Sequence, residues 1–264
     1  QAQNILHGVG VDTKFCLPFC VDKNFELPGN LTFHNLNEEL RNADLLICFG
    51  GDGTILHASK AANSRNIPVL GVNIGTMGFM AELEVGELDQ LVRLAKGDYK
   101  VERRMMLSVE VQRDGQTLFN DTALNDVALT KGAVARVIQM EVQCDGIRAY
   151  TFTGDGVLVC TPTGSTAYSM SAGGPIVEPS AQNIIVTPIC AHTAQARPFV
   201  TAKDREITIR VGKTGRKNAF LSADGGRAFR VNLGDVIRIR RARQETRLVR
   251  LKSTSFYEII NNKF

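Results

Sequence analysis

The pattern of hydrophobic residues changes close to residue 98, and this change constrains the fold more than any other feature of the sequence. Before it, apolar runs bounded by glycine alternate with segments of helical periodicity. Four segments carry this alternation, strand, helix, strand and helix in turn: residues 44–49, 54–63, 67–73 and 87–96. Strand–helix alternation is typical of a parallel α/β sheet, and Thr54 suits the cap of the first of these helices. We therefore expect residues 1–98 to form an α/β domain.

Beyond this point short alternating strands follow one another. Three turn pairs separate some of them and favour β-hairpins: Asp114-Gly115, Asp145-Gly146 and Asp224-Gly225. The sequence predicts a β-rich domain over residues 99–245. The tail, residues 246–264, ends in an apolar group around Phe256 and Ile259, and we expect it to dock back on the first domain.

The start of the chain fits the α/β pattern poorly. Residues 1–11 resemble the end of a helix, whereas a parallel α/β domain usually begins with a strand. We expect either that residues precede Gln1 in the natural chain or that the first strand is degenerate.

Composition and charge exclude several classes of function. No apolar run approaches the ~20 residues of a membrane-spanning helix, and no secretory signal opens the chain. The net charge of +4 is too small to indicate nucleic-acid binding, and the late arginines alternate with isoleucines as on a solvated strand face. The six cysteines show no zinc spacing, so we expect reduced, mostly buried thiols in a cytoplasmic protein.

The first candidate site is the loop Gly50-Gly51-Asp52-Gly53-Thr54, which joins a strand to a helix. Open α/β sheets bind ligands at this edge, and glycines at a helix N-terminus suit phosphate. Asp52 should repel phosphate, which favours a role in proton removal or metal binding. A tight turn with a capping aspartate is the alternative.

The second candidate is the hydroxyl-rich loop Thr161-Pro162-Thr163-Gly164-Ser165-Thr166-Ala167-Tyr168. Its hydroxyl groups, its backbone and Tyr168 could bind a polar ligand, although a simple β-turn would have the same composition. The common nucleotide motifs are absent, because no Gly-x-Gly-x-x-Gly follows a strand and the Gly212-Lys213-Thr214 run has Ile207 where a P-loop needs glycine.

Together the two loops resemble the NAD kinase family. The resemblance continues through Asn73–Phe79, Ala123–Val127 and Pro188–Thr193 and covers roughly residues 43 to 260. The glycine loop alone is weak evidence, since lipid kinases and phosphofructokinases share it, whereas the second loop is close to diagnostic.

The resemblance implies a phosphoryl transfer from ATP, or from polyphosphate, to the adenosine-ribose 2′-hydroxyl of NAD. It implies Asp52 as the catalytic carboxylate, and Gly50, Gly51, Gly53 and Thr54 as the phosphate loop. The NAD-binding residues that it implies, besides Asp52 and Gly53, are His57, Asn125, Asp126, Arg136, Asp155, Thr163, Thr166, Ala167, Tyr168 and Ser171. Mg²⁺ would accompany ATP, with no direct protein ligand that can be assigned.

Two positions depart from the motifs of the family. Asp126 replaces the glutamate of many members, and Gly226 stands where an Asp-Gly-Gln turn would place glutamine. The resemblance at Arg136 implies a homodimer or homotetramer in which this side chain reaches a neighbour's ligand.

NAD and ATP are the expected ligands, and we expect no binding to nucleic acid or to a membrane. A lipid kinase and a non-catalytic dinucleotide sensor are the competing functions.

Overall fold

The computed structural model describes residues 1–17, 32–75, 78–132, 137–212 and 219–263. The chain divides into two compact units. The first comprises Gln1–Arg103 with Thr246–Phe264, and the second comprises Arg104–Glu245.

The described residues form six α-helices, named α1 to α6 in chain order: Ala2–His7, Leu36–Glu39, Asp52–Asn63, Val92–Ala95, Tyr168–Ser171 and Phe256–Lys263. Two 3₁₀ helices occupy Val85–Leu91 and Thr163–Thr166. Within the same ranges, the strands β1 to β17 are Phe15–Cys16, Phe33–His34, Leu46–Phe49, Val69–Asn73, Leu83–Glu84, Lys100–Arg113, Gln116–Ala123, Asp126–Lys131, Ile138–Cys144, Ile147–Gly154, Gly156–Cys160, Asn183–Ile189, Phe199–Ala202, Ile207–Val211, Ala219–Ala223, Phe229–Val231 and Val236–Arg250.

The first unit is built on parallel strands, as the sequence predicts. Strand β4 is buried along its whole length, and it pairs in parallel with β3 and with β5. The end of β17 also runs parallel to β4, with Leu248 opposite Val69. Leucines and valines from these strands, from α1 and from the Val85–Leu91 helix form the core. Parallel strands end at one edge of a sheet, so the loops after β3 and β4 lie at the same edge.

Two helices of this unit differ from the sequence expectation. Helix α3 begins at Asp52 and not after Thr54, because Gly51 is extended and its carbonyl already accepts the N–H of Thr54. The helix expected over residues 87–96 is a 3₁₀ helix followed by the single turn α4. A capping box between Glu84 and Glu87 starts this segment earlier than expected.

The second unit is built of antiparallel strands. Six of them form a sheet in the order β13-β12-β11-β8-β15-β16. Strands β10, β9 and β14 pair antiparallel with one another in that order, and β14 pairs with the first part of β17. Buried apolar side chains between Met105 and Ile239 form a large core within this unit. The prediction of a β-rich second part is confirmed, and the structure shows that its strands are mostly antiparallel.

The three Asp-Gly pairs are hairpin turns. Two of them join β6 to β7 and β9 to β10 directly, and the third begins the five-residue connection from β15 to β16; each pair of strands is antiparallel. The aspartates have φ of 49°, 50° and 51°, and the glycines that follow have φ of 79°, 78° and 65°. Two consecutive positive φ values are the requirement of a type I′ turn, which Asp-Gly meets at little steric cost.

The limits of the two units fall inside the long strands β6 and β17. The residues of the tail, from Thr246 onward, group with the first unit. The predicted boundaries at residues 98 and 245 mark a change in the hydrophobic pattern of the sequence. We propose them as the limits of domains.

Candidate active site residues

The glycine loop lies in the first unit where β3 ends and α3 begins. Gly50 donates its N–H to the carbonyl of Val72, and a Cβ on Gly50 would lie 2.5 Å from Oγ1 of Thr54. Gly51 is the helix cap, and Asp52 is the first residue of a 12-residue helix. The loop therefore sets a helix N-terminus at the carboxyl edge of parallel strands, an arrangement that favours anionic ligands.

The Asp52 carboxylate is fixed by the loop that follows β4. Its Oδ2 accepts the backbone N–H of Phe79 at 2.7 Å, and its Oδ1 accepts that of Met80 at 3.0 Å. A Cβ on Gly78 would lie 2.0 Å from Oδ1, so glycine leaves the space that this carboxylate fills. Because a carboxylate has about four acceptor positions, two used by backbone leave room for a substrate hydroxyl. Asp52 is therefore not the cap of its own helix.

Asn73 orders the beginning of the same loop. Its Nδ2 donates to both carboxylate oxygens of Glu84, at 3.1 and 3.0 Å, and to the carbonyl of Gly75 at 3.2 Å. Its Oδ1 accepts the N–H of Gly75 at 3.2 Å. The family-like positions 76 and 77 lie outside the described residues. Asn73 thus anchors the beginning of the loop, and Asp52 anchors residues 79 and 80.

In the second unit, Asn125 and Asp126 lead into β8. The carbonyl of Asn125 accepts the N–H of Thr161, and a Cβ on Gly164 would lie 2.1 Å from that carbonyl oxygen. The side chain of Asp126 is buried, with 7% of the residue exposed. Burial, followed by the nearby Asp224 carboxylate, raises the pKa of Asp126 to about 7. Asp126 therefore changes its charge near neutral pH.

Most hydroxyl groups of the Thr161–Tyr168 loop point into the protein. Thr161 donates to the carbonyl of Leu124, and the Thr163 hydroxyl accepts a bond from the buried Arg104 at 3.2 Å. The Ser165 hydroxyl oxygen lies 2.7 Å from the carbonyl of Pro162 and 3.1 Å from that of Val177, and it accepts the N–H of Val177 at 3.0 Å. These hydrogen bonds within the protein hold the loop in shape.

The accessible part of this loop lies at its end. Thr166 and Ala167 are partly buried, whereas Tyr168 and Ser171 are exposed on either side of the buried Ser169. Tyr168 is 45% exposed and opens the short helix α5. A ring at this position can stack on a planar ligand while its hydroxyl meets solvent.

Three predicted residues remain, Asp155, His57 and Arg136. Asp155, between β10 and β11, makes an ion pair with Lys131 at 2.7 Å. His57 is exposed in the second turn of α3. Arg136 lies outside the described residues.

Two residues that the sequence analysis did not assign belong to this framework. Arg104 is 4% exposed and bonds to Thr163, and Asp224 accepts three backbone N–H groups of residues 124–126. The local signals for Asp224 were its Asp-Gly pair and its place in the family-like Asp-Gly-x turn, and both indicate a turn but no contact with a distant loop.

Among the described residues, no group of three or more His, Cys, Asp or Glu side chains could hold a metal ion. None of the described helices is long and apolar enough to cross a membrane. The five described cysteines are free thiols; Cys48 and Cys160 are buried and Cys190 is exposed, so fewer are buried than the sequence suggested.

Comparison with known proteins gives the same family for both halves of the chain. Residues 28–99 match the model of the ATP-NAD kinase N-terminal domain, and residues 124–251 match that of the ATP-NAD kinase C-terminal domain. The NAD kinase of Geotalea daltonii is 44% identical over 84% of this chain and 78% of its own length. The NAD kinase of Moorella thermoacetica is also 44% identical, over 86% of this chain and 72% of its own length.

Solved structures resemble the fold as well. Yeast NADH kinase, crystallised with NADH, matches 98% of this chain and 76% of its own with a TM-score of 0.80 and 30% identity. An NAD kinase from Archaeoglobus fulgidus in complex with ATP matches 99% of this chain and 91% of its own, with a TM-score of 0.74 and 26% identity. The sequence resemblance, the curated relatives and the fold agree, and the chain belongs to the NAD kinase family.

Proposed function

We propose that this protein transfers the terminal phosphoryl group of ATP to the adenosine-ribose 2′-hydroxyl of NAD, forming NADP and ADP. Membership of the NAD kinase family supports the reaction, as do solved relatives that bind NADH and ATP. The observation that carries it is the Asp52 carboxylate, which two backbone N–H groups fix at the start of α3. Such a group is ready to accept a proton from a hydroxyl held beside it.

In this proposal Asp52 is the general base. The bond from the ribose oxygen to the terminal phosphorus forms while the bond from that phosphorus to ADP breaks. The hydroxyl proton passes to a free acceptor position of Asp52. Phosphoryl transfer needs little covalent help from the protein, so positioning and charge neutralisation account for most of the catalysis.

The second unit supplies most of the NAD-binding residues of the proposal, besides Asp52, Gly53 and His57 of the first unit. Asn125 and Asp126 take the ribose hydroxyls, and the accessible end of the hydroxyl-rich loop takes the adenine and ribose: Thr166, Ala167, Tyr168 and Ser171. Thr163 stabilises this loop because its hydroxyl accepts a hydrogen bond from Arg104. Asp155 is assigned to the nicotinamide half.

The phosphates are assigned to the glycine loop. Gly50, Gly51, Gly53 and Thr54 form the loop, and the N-terminus of α3 favours negative charge there. His57 and Arg136 are the basic side chains that we assign to phosphate groups. Polyphosphate remains an alternative donor.

Mg²⁺ enters the proposal as part of the donor, MgATP. Such an ion would neutralise charge on the transferred group, and the protein residues above would position the acceptor. We further propose a cytoplasmic location and a homo-oligomeric assembly.

The test is formation of NADP by purified protein supplied with NAD, MgATP or polyphosphate. General-base steps contribute ~10²–10⁴-fold, so Asp52→Asn should lower kcat by about that factor while NAD still binds. Because Asn would turn an N–H group toward Phe79 or Met80, the melting temperature is measured on the same sample. Gly78→Ala is the companion variant, since its Cβ would displace the carboxylate without removing its charge. Normal turnover by both variants would exclude Asp52 as the base, and binding of NAD without turnover by the wild type would favour the sensor.

A further inference from the structure

We propose that Asp224, in the turn between β15 and β16, is a positioning residue for NAD that holds the backbone of residues 124–126. The inference rests on the proposed function, because it assigns Asn125 and Asp126 to the ribose. Asp224 acts through these two residues.

The geometry of the contact supports this role. Oδ2 of Asp224 accepts the N–H of Leu124 at 2.7 Å, and Oδ1 accepts those of Asn125 at 2.8 Å and Asp126 at 3.1 Å. In return, the N–H of Asp224 donates to the carbonyl of Asp126 at 2.9 Å. Hydrogen bonds to a charged acceptor are stronger than neutral ones, and here three of them converge on consecutive residues.

The opposite side of the segment is held by the hydroxyl-rich loop. Thr161 donates its hydroxyl to the carbonyl of Leu124 at 2.5 Å and its N–H to that of Asn125 at 2.9 Å. The N–H groups of residues 124–126 are thus bound by Asp224, and the carbonyls of residues 124 and 125 by Thr161. A segment fixed in this way presents its side chains to a ligand at low entropic cost.

Turn formation by itself does not explain why residue 224 makes these contacts. Asp114, Asp145 and Asp224 have nearly the same φ, and each precedes a glycine with positive φ. Asp145 also accepts a backbone N–H, that of Glu206 at 2.8 Å, and bonds to Arg205. Asp145 therefore provides a matched control turn in the same unit, directed at residues outside the proposed site.

Asp224 also acts on the charge of Asp126. Burial is the larger cause of the raised pKa of Asp126, about 7, and the Asp224 carboxylate is the second cause. Among the described residues, the Cys160 thiol on β11 also faces Asp126; burial raises the pKa of this thiol to about 12, so it is neutral. An ionised Asp126 accepts a ribose hydroxyl more strongly than a protonated one. NAD should therefore bind better as the pH rises through about 7, and Asp224 helps to set that pH.

The experiment measures KM for NAD and kcat from pH 5.5 to 9 for wild type, Asp224→Ala, Asp224→Asn, Asp145→Ala and Asp145→Asn. Asp224→Ala removes all three acceptor contacts and should raise KM by roughly tenfold or more at pH 8.5. Asp224→Asn keeps Oδ1, tolerates positive φ, and should restore KM to within about fivefold of wild type. kcat should change by less than about threefold in both, because Asp224 touches no reacting atom in the proposal.

The pH dependence separates a positioning role from a merely structural one. Both substitutions at residue 224 remove a negative charge beside Asp126, so the inflection in KM should move to lower pH. The substitutions at residue 145 should leave KM and its inflection unchanged. If Asp224→Ala fails to fold, the pH of the KM inflection in Asp224→Asn decides alone between a positioning role and a structural one.

Failure of the proposed function and failure of the inference about Asp224 give different results. A wild-type protein that makes no NADP contradicts the proposed function itself. An active wild type with an unshifted inflection in Asp224→Asn, or with KM unchanged in a folded Asp224→Ala, overturns the inference about Asp224.

Discussion

Asp126 is the first residue of β8, and only 7% of it is exposed. Its pKa of about 7 lies above the ordinary aspartate value because its burial and the Asp224 carboxylate both disfavour the ionised form. The folded protein therefore retains a proton that the unfolded chain releases near pH 4. Binding of a ribose hydroxyl and retention of this proton favour opposite states of the same carboxyl group.

The first prediction concerns stability and pH. The stabilisation from the bound proton is fully present below the unfolded pKa and is lost as the pH rises through about 7. Asp126→Asn does not titrate, so its free energy of unfolding should rise relative to wild type by on the order of 2–3 kcal/mol between pH 5 and 8.5. Urea unfolding at several pH values measures this difference. A difference that stays constant with pH would mean that Asp126 titrates normally.

The second prediction concerns proton release. If NAD binds the ionised form of Asp126, then binding at pH 6.5 should release protons, about half or more of one per NAD. Calorimetric titration in two buffers of different ionisation enthalpy measures the number. Asp126→Asn is the control and should remove this release. Equal release by the variant would assign the proton to another group.

At the scale of elements, helix α6 supports the loop that holds Asp52. The ring of Phe256 lies 6.4 Å from that of Phe79, and Nζ of Lys263 lies 4.0 Å from the centre of the Phe79 ring. The N–H of Phe79 is one of the two donors to Asp52. Ser255 and Glu258 exchange hydrogen bonds at the start of α6, in the manner of a capping box. The tail thus contacts the residue that fixes the proposed base.

The third prediction follows from this contact. An aromatic pair contributes ~0.5–1.5 kcal/mol. Without the Phe256 ring, Phe79 is less restrained and holds Asp52 less firmly, so Phe256→Ala should lower kcat by about 2- to 10-fold. KM for NAD should change less than kcat, because most of the NAD-binding residues of the proposal lie in the second unit. Steady-state kinetics measure both constants, with Asn261→Ala, an exposed position on the same helix, as the control. An unchanged kcat in Phe256→Ala would show that α6 does not restrain the site.

At the scale of the whole molecule, the fourth prediction concerns assembly. Arg136 is proposed to reach the ligand of a neighbouring subunit, which requires a homodimer or homotetramer. Light scattering at micromolar concentration should give two or four times the 28.8 kDa of one chain. Mixing Arg136→Ala with Asp52→Asn chains should then restore part of the lost activity, because mixed assemblies contain some complete sites. A stable and active monomer would contradict this assignment.

The sequence by itself determined the features that depend on neighbouring residues. The alternation of strand and helix before residue 98 specified the parallel sheet, and the three Asp-Gly pairs specified hairpins, because a type I′ turn depends on the φ values of two adjacent residues. The glycine loop and the hydroxyl-rich loop identified the family in the same way, through contiguous residues.

Only the tertiary structure decided how the site residues are held. Asp52 bonds to residues 27 and 28 positions away, and Asp224 to residues 98 to 100 positions away. The hydroxyls of Thr161 and Ser165 point inward because the buried carbonyls of Leu124 and Pro162 require donors. Most of these bonds join a side chain to the backbone of a distant segment, and almost any residue can supply that backbone group. Such contacts leave no local pattern in the sequence, so they become visible only when the chain is folded.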